Sequence, residues 1–184
     1  TVVAGAGGTA NQALRIPGGG GAPTFGAVDL AQGAAVTGRL VASSQTDIGA
    51  RAFNSAAISI TNNSTTALTF DSERWDTDTI HSTVTNTGRL TATTAGKYVI
   101  SAHILWAANT TGLRRVQIQL NALTNIAIQE IPAAASATYM SVATIYNLIA
   151  GDFLEIRVFQ DSGGALNVSA EAADSPEFAM QKIG

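Results

Sequence analysis

Tyr98, Ile100, Ala102, Ile104 and Trp106 fall at every second position of one segment, with Ser101 and His103 between them. Apolar residues at period two over about nine residues fit a strand with one buried face. Arg115–Asn121 repeats the pattern, with Val116, Ile118 and Leu120 on one side and Arg115, Gln117, Gln119 and Asn121 on the other. Thr138–Ile149 sets Met140, Val142, Tyr146 and Leu148 on one face, and Phe153–Gln160 alternates Leu154, Ile156 and Val158 with Glu155 and Arg157. Shorter candidates are Phe53–Ile60, Thr65–Phe70, Glu73–Trp75, Arg89–Ala92, Ala127–Ile131 (closed by Pro132), Leu166–Ala172 and Glu177–Ile183. Turn chemistry separates most of them, as at Thr61-Asn62-Asn63-Ser64, Ala95-Gly96 and Gly151-Asp152. No segment carries helical periodicity. About ten short strands close most simply as an all-β antiparallel sandwich.

The alternation begins only after residue 50. Residues 1–50 hold eleven of the eighteen glycines and four of the twenty-three charged side chains. Their apolar patches, at Leu14 and Ile16, at Phe25, Val28 and Leu30, and at Val36, Leu40 and Val41, are too small to bury themselves. Ordering such a chain costs about 1–2 kcal/mol per residue in backbone entropy, so a partner must hold it. The sequence therefore divides into an extended Gly/Ala-rich arm, residues 1–50, read as an anchor or strap, and a folded head, residues 51–184. The run Gly18-Gly19-Gly20-Gly21 is not followed by Gly-Lys-Ser/Thr, so it is not read as a phosphate cradle.

Net charge is −3, all of it in residues 51–184, which gives no basic footprint for nucleic acid. Cysteine is absent, removing disulfides and thiolate chemistry. No apolar run reaches the roughly eighteen residues of a spanning helix, and no signal pattern opens the chain, so membrane insertion is not expected. Because the chain opens on Thr1, it is expected to be a processed product or a piece of something longer. Charged residues are only 12% of the chain, against a usual quarter or so, a sparseness common in proteins that pack against copies of themselves.

Two resemblances sharpen this reading. The strand Gly96-Lys97-Tyr98-Val99-Ile100-Ser101-Ala102-His103-Ile104-Leu105-Trp106, the Arg-led strand ending in Leu120-Asn121, the turn and strand Ala150-Gly151-Asp152-Phe153-Leu154-Glu155-Ile156, and the ending Phe178-Ala179-Met180-Gln181-Lys182-Ile183-Gly184 together resemble the C1q/TNF jelly roll. That resemblance implies a ten-stranded jelly roll and a tight homotrimer. In the arm, Gly8–Pro17, Phe25–Leu30 and Ala35-Val36-Thr37-Gly38 resemble repeat-like stretches of bacteriophage tail-fibre proteins. No collagen-like Gly-X-Y stretch precedes the head.

Chemistry-bearing residues are few. Asp71, Glu73, Asp76 and Asp78 put four carboxylates in eight residues, hard oxygens of the kind Ca²⁺ takes. The C1q/TNF resemblance implies the same option, since some such heads bind calcium. No other cofactor is expected. The alternative is a solvated or salt-bridged loop, with Arg74 neutralising part of the charge. His81 and His103 are read as surface or interface histidines, without zinc-site neighbours. No Gly-x-Ser-x-Gly occurs and no long loop builds a cleft, so no catalytic residue and no enzyme activity are expected. Trp106 is assigned to the core, while Trp75 is read as buried under a loop or stacking on a sugar.

The expectation is a homotrimeric virion structural protein, a bacteriophage fibre or receptor-binding component. A capsid decoration or head-fibre protein and a secreted bacterial C1q-like adhesin are the alternatives, so the location is the virion or an extracellular surface. Val99, Leu105 and Phe159, apolar at outward positions, are assigned to the trimer interface. Asn109, Thr110 and Thr111 in one loop and Asp161 and Ser162 in another are assigned to a host glycan or surface protein. Other virion proteins are expected to meet residues 1–50.

Overall fold

The computed structural model describes residues 47–172 and 175–183. Twelve strands account for all the regular structure among these residues: β1 (Gly49–Phe53), β2 (Ile58–Ile60), β3 (Thr66–Ala67), β4 (Ser72–Asp76), β5 (Arg89–Thr91), β6 (Gly96–Trp106), β7 (Asn109–Leu120), β8 (Thr124–Ala134), β9 (Thr138–Leu148), β10 (Phe153–Gln160), β11 (Leu166–Ser169) and β12 (Glu177–Lys182). Among the described residues no helix is long and apolar enough to cross a membrane.

The strands form two antiparallel sheets. In the seven-stranded sheet β6 is central, with β9 along its whole length on one side. On its other side run β12 and, beyond it, β11. The sheet continues from β12 to β1 and β4, and from β11 to β2. In the five-stranded sheet β10 is flanked by β7 on one side and by β3 and β5 on the other, with β8 beyond β7. The inward faces build one core. Tyr98, Ile100, Ala102, Ile104 and Trp106 enter it from β6, Val116 and Ile118 from β7, Leu154, Ile156 and Val158 from β10, and Phe178 and Met180 from β12. These are the positions that the alternation marks, and Trp106 is buried as expected.

Boundaries differ from the sequence reading in instructive places. The first strand starts at Gly49, inside the segment assigned to the arm, and Ala50 is fully buried beneath it. Its alternation is carried by alanines, too small to stand out. Phe53–Ile60 is two strands, because Asn54 and Ser55 turn the chain there, bonded through Asn54 Nδ2 to the Thr69 carbonyl and through Ser55 to Asp71. Pro132 does not close its strand: β8 continues to Ala134 because it is an edge strand, where a missing N–H is tolerated. Residues 1–46 of the arm, with its anchor and tail-fibre assignments, lie outside the described residues.

Candidate assembly interface

The two outer faces of the sandwich carry different chemistry. On the seven-stranded sheet, Val99, Ser101, His103 and Leu105 of β6 point away from the core. The register sets Ile145, Ala143, Ser141 and Tyr139 of β9 beside them in turn. On the other flank Gln181, Ala179 and Glu177 of β12 lie beside Val99, Ser101 and His103. Val99 is 39% exposed, Ile145 62% and Tyr139 61%. Between these apolar side chains the floor is made of small ones, Ser101, Ala143 and Ala179. Across β1 the indole of Trp75 lies over the backbone of Gly49. A Cβ built there would come within 2.8 Å of Trp75 Cη2 and 2.7 Å of the Met180 carbonyl oxygen. Trp75 is therefore seated on a sheet face, neither under a loop nor standing free.

One charged cluster sits on this face. Glu177 is buried, and its two carboxylate oxygens are taken separately, Oε2 by Arg51 and Oε1 by Arg74 Nε at 3.0 Å. Arg74 also donates to the Ala172 carbonyl at 2.6 Å and lies 4.0 Å over the Phe53 ring. Arg74 thus neutralises a residue distant in sequence rather than the acidic segment around it. The register places Ser141, His103 and Glu177 side by side, the residue types of a hydrolytic triad. The geometry does not make one. Among the described residues His103 bonds to neither neighbour, and the arginines occupy Glu177.

The outer face of the five-stranded sheet is largely paired within itself, with Arg157 Nε buried without an acceptor among the described residues. Arg115 pairs with Glu130 at 2.6 Å and covers the Phe159 ring, 5.1 Å from its centroid. Arg89 pairs with Glu155 at 3.0 Å and lies 3.9 Å over the Phe153 ring. Arg157 donates to Gln119 Oε1 at 3.1 Å, and Gln117 and Gln119 both donate to Asn125 Oδ1. Ile128, 55% exposed, is the large apolar side chain left open there.

The three residues assigned to a trimer interface therefore separate. Val99 lies in the apolar row as expected of an outward position. Leu105 is 6% exposed, buried within its own chain where Ser175 accepts its backbone N–H at 2.8 Å. Phe159 is on the opposite face of the sandwich, under Arg115. Period two tells which side of its own strand a residue occupies, and it does not tell which sheet the strand joins. Ile145 and Tyr139 were missed, although they alternate with Met140, Val142 and Leu148, and that complement is the signal that marks them.

Asp71, Glu73, Asp76 and Asp78 do not converge, and among the described residues no three His, Cys, Asp or Glu side chains are grouped to hold a metal. Each carboxylate serves its own turn. Asp71 accepts from the Ser55 amide and hydroxyl at 2.9 and 2.5 Å. Slight burial raises its pKa, but the Ser55 bonds outweigh that and hold it below the usual carboxylate value. Asp76 accepts the amides of Asp78, Ile80 and His81, and Asp78 accepts the Thr93 hydroxyl. Glu73 meets His81 Nδ1 at 2.8 Å, and His81 Nε2 meets the Thr87 carbonyl at 3.1 Å. His81 is thus a buried histidine, contrary to the surface assignment, while His103 is exposed.

The expected receptor loops also change form. Asn109, Thr110 and Thr111 belong to β7, leaving only Ala107 and Ala108 as the connection from β6. The buried Arg114 guanidinium fixes them by donating to the carbonyls of Asn109, Thr111 and Leu113. Burial lowers its pKa and Asp161 opposes that. Asp161 Oδ1 accepts the Leu113 amide at 2.5 Å, and Ser162 N–H donates to Gln160 Oε1 at 2.7 Å. Gly112 lies against Asp161 at a positive φ of 75°, so the two stretches are neighbours.

No family model matches the chain, and no curated protein sequence matches it. Solved structures do. Eiger TNF from S. frugiperda aligns with a TM-score of 0.56 at 16% identity, covering 76% of this chain and 94% of that one. Murine APRIL, crystallised at pH 5.0, aligns with a TM-score of 0.55 at 11% identity, covering 74% of this chain and 99% of that one. Identity at this level speaks for the fold alone: the head is an antiparallel, TNF-like jelly roll.

Proposed function

We propose that the protein is a non-enzymatic homotrimeric virion component, a bacteriophage fibre or attachment protein, whose heads meet through the outer face of the seven-stranded sheet. The observation that carries the assembly reading is the row Val99–Ile145 with Tyr139 on the same face, apolar area that an isolated head leaves in water. Threefold symmetry follows from the C1q/TNF resemblance. A ring of three is built on heterologous contacts, in which this face meets a different surface of the next copy. The non-enzymatic reading is supported by the commitment of Glu177 to two arginines beside an unbonded His103. The virion setting rests on the resemblance of the arm, which would join other virion proteins and leave the head to meet a host glycan or surface protein.

Light scattering on the whole chain is expected to give three times the mass of one chain. Antibody raised against the head and carried on gold is expected to mark a fibre or attachment appendage of the virion. Label spread over the capsid surface would replace the fibre reading with capsid decoration, and unlabelled virions would overturn both.

A further inference from the structure

Resting on that assembly reading, we propose that His103 makes the association of heads acid-sensitive, holding copies together while its ring is neutral and releasing them when it is protonated. The position of His103 leaves a partner no way round it. Along β6 it stands four residues from Val99 and two from Leu105, whose register partners are Ile145 and Tyr139. At about 3.3 Å per residue, the Val99 and Tyr139 rows are roughly 20 Å apart. A standard interface of about 800 Å² per partner is wider than that. A second copy that covers the apolar side chains at both ends therefore covers the imidazole between them.

The surroundings offer a charged ring nothing. His103 is exposed, and its ring makes no hydrogen bond among the described residues. From β12 it faces Glu177, whose Oε2 and Oε1 are already held by Arg51 of β1 and Arg74 of β4. Glu177 with its two arginines is net positive, so that cluster repels an imidazolium. From β9 it faces the neutral Ser141, and its neighbours on the same face of β6 are Ser101 and Leu105. Burying an unpaired imidazolium there is unfavourable, whereas a neutral imidazole is tolerated. In a free head, water solvates the charge. Protonation therefore favours separate heads, and association is strongest above the ordinary histidine range and fades as pH falls through it.

Sedimentation velocity on the whole chain tests this at about pH 8 and about pH 5.5, on either side of that range. Tryptophan fluorescence would establish that released heads stay folded. The wild-type dissociation constant is expected to rise about tenfold or more on acidification. His103→Gln, which keeps a polar side chain without the charge, is expected to associate equally at both pH values. Wild-type association that ignores pH overturns the proposal and leaves the interface standing. Equal acid weakening in His103→Gln, whether by release or by unfolding, overturns it too. Failure of the interface reading looks different: a wild-type monomer at about pH 8, or Ile145→Asp associating as wild type, removes the face itself.

Discussion

The sandwich has two outer faces made by the same alternation, and they have opposite finishes. On the five-stranded sheet Arg115, Arg89 and Arg157 each find an acceptor on a neighbouring strand, and two of them shield phenylalanine rings. In that grid Arg157 Nε alone is buried without an acceptor among the described residues. On the seven-stranded sheet the corresponding positions carry Val99 and Ile145 around a floor of serine and alanine. The comparison teaches that alternation alone does not separate an assembly face from a solvent face. What separates them is whether the outward residues satisfy one another across strands.

The sharpest way to break the comparison is to place a carboxylate on each face. Ile145→Asp is expected to cost association about 3–5 kcal/mol, the penalty for an unpaired charge buried in a contact, and to leave single chains by light scattering. Ile128→Asp on the other face is expected to leave the mass unchanged. Equal effects would erase the distinction between the faces.

Gly49→Ala asks how tightly Trp75 is seated. The added methyl meets the Gln181 side chain, the Met180 carbonyl and the indole together, so thermal unfolding is expected to show a loss of about 1–3 kcal/mol. A neutral result would mean that Trp75 swings freely off the sheet. The smallest expected effect concerns the polar grid. A double-mutant cycle on Arg115 and Glu130, both partly exposed, is expected to give a coupling of about 0.2–1 kcal/mol with no change in oligomeric mass. A coupling seen only in the assembled protein would bring that face into the interface.

Much of the fold is readable in the sequence. Tyr98–Trp106, Val116–Leu120 and Leu154–Val158 announce their buried sides because large apolar residues recur at the strand period. β1 escaped because Ala50 and Ala52 are too small to show a period, and its start was lost in the glycine-rich stretch before it. In the acidic run Asp71–Asp78 the sequence offers either a cation site or a solvated or salt-bridged loop, because spacing does not show whether the carboxylates converge. Backbone amides of the following turn, the Ser55 amide and hydroxyl, the Thr93 hydroxyl and the His81 ring claim those carboxylates instead. Of the three residues assigned to an interface, Val99 alone lies on the apolar face, since placing Leu105 and Phe159 required knowing what covers each strand.

By itself, the sequence determined an all-β antiparallel head, most of its inward residues, and the absence of thiol chemistry, because strand period and composition are local properties. Only the tertiary structure decided that Val99 and Phe159 occupy opposite faces, that Arg51 and Arg74 share Glu177, and that His103 stands in the apolar row while His81 is buried. The reason is physical. Which strand lies beside which is set by packing between residues as far apart as Arg51 and Glu177, and cross-strand neighbours, not sequence neighbours, determine whether an outward side chain is satisfied or waiting for a partner.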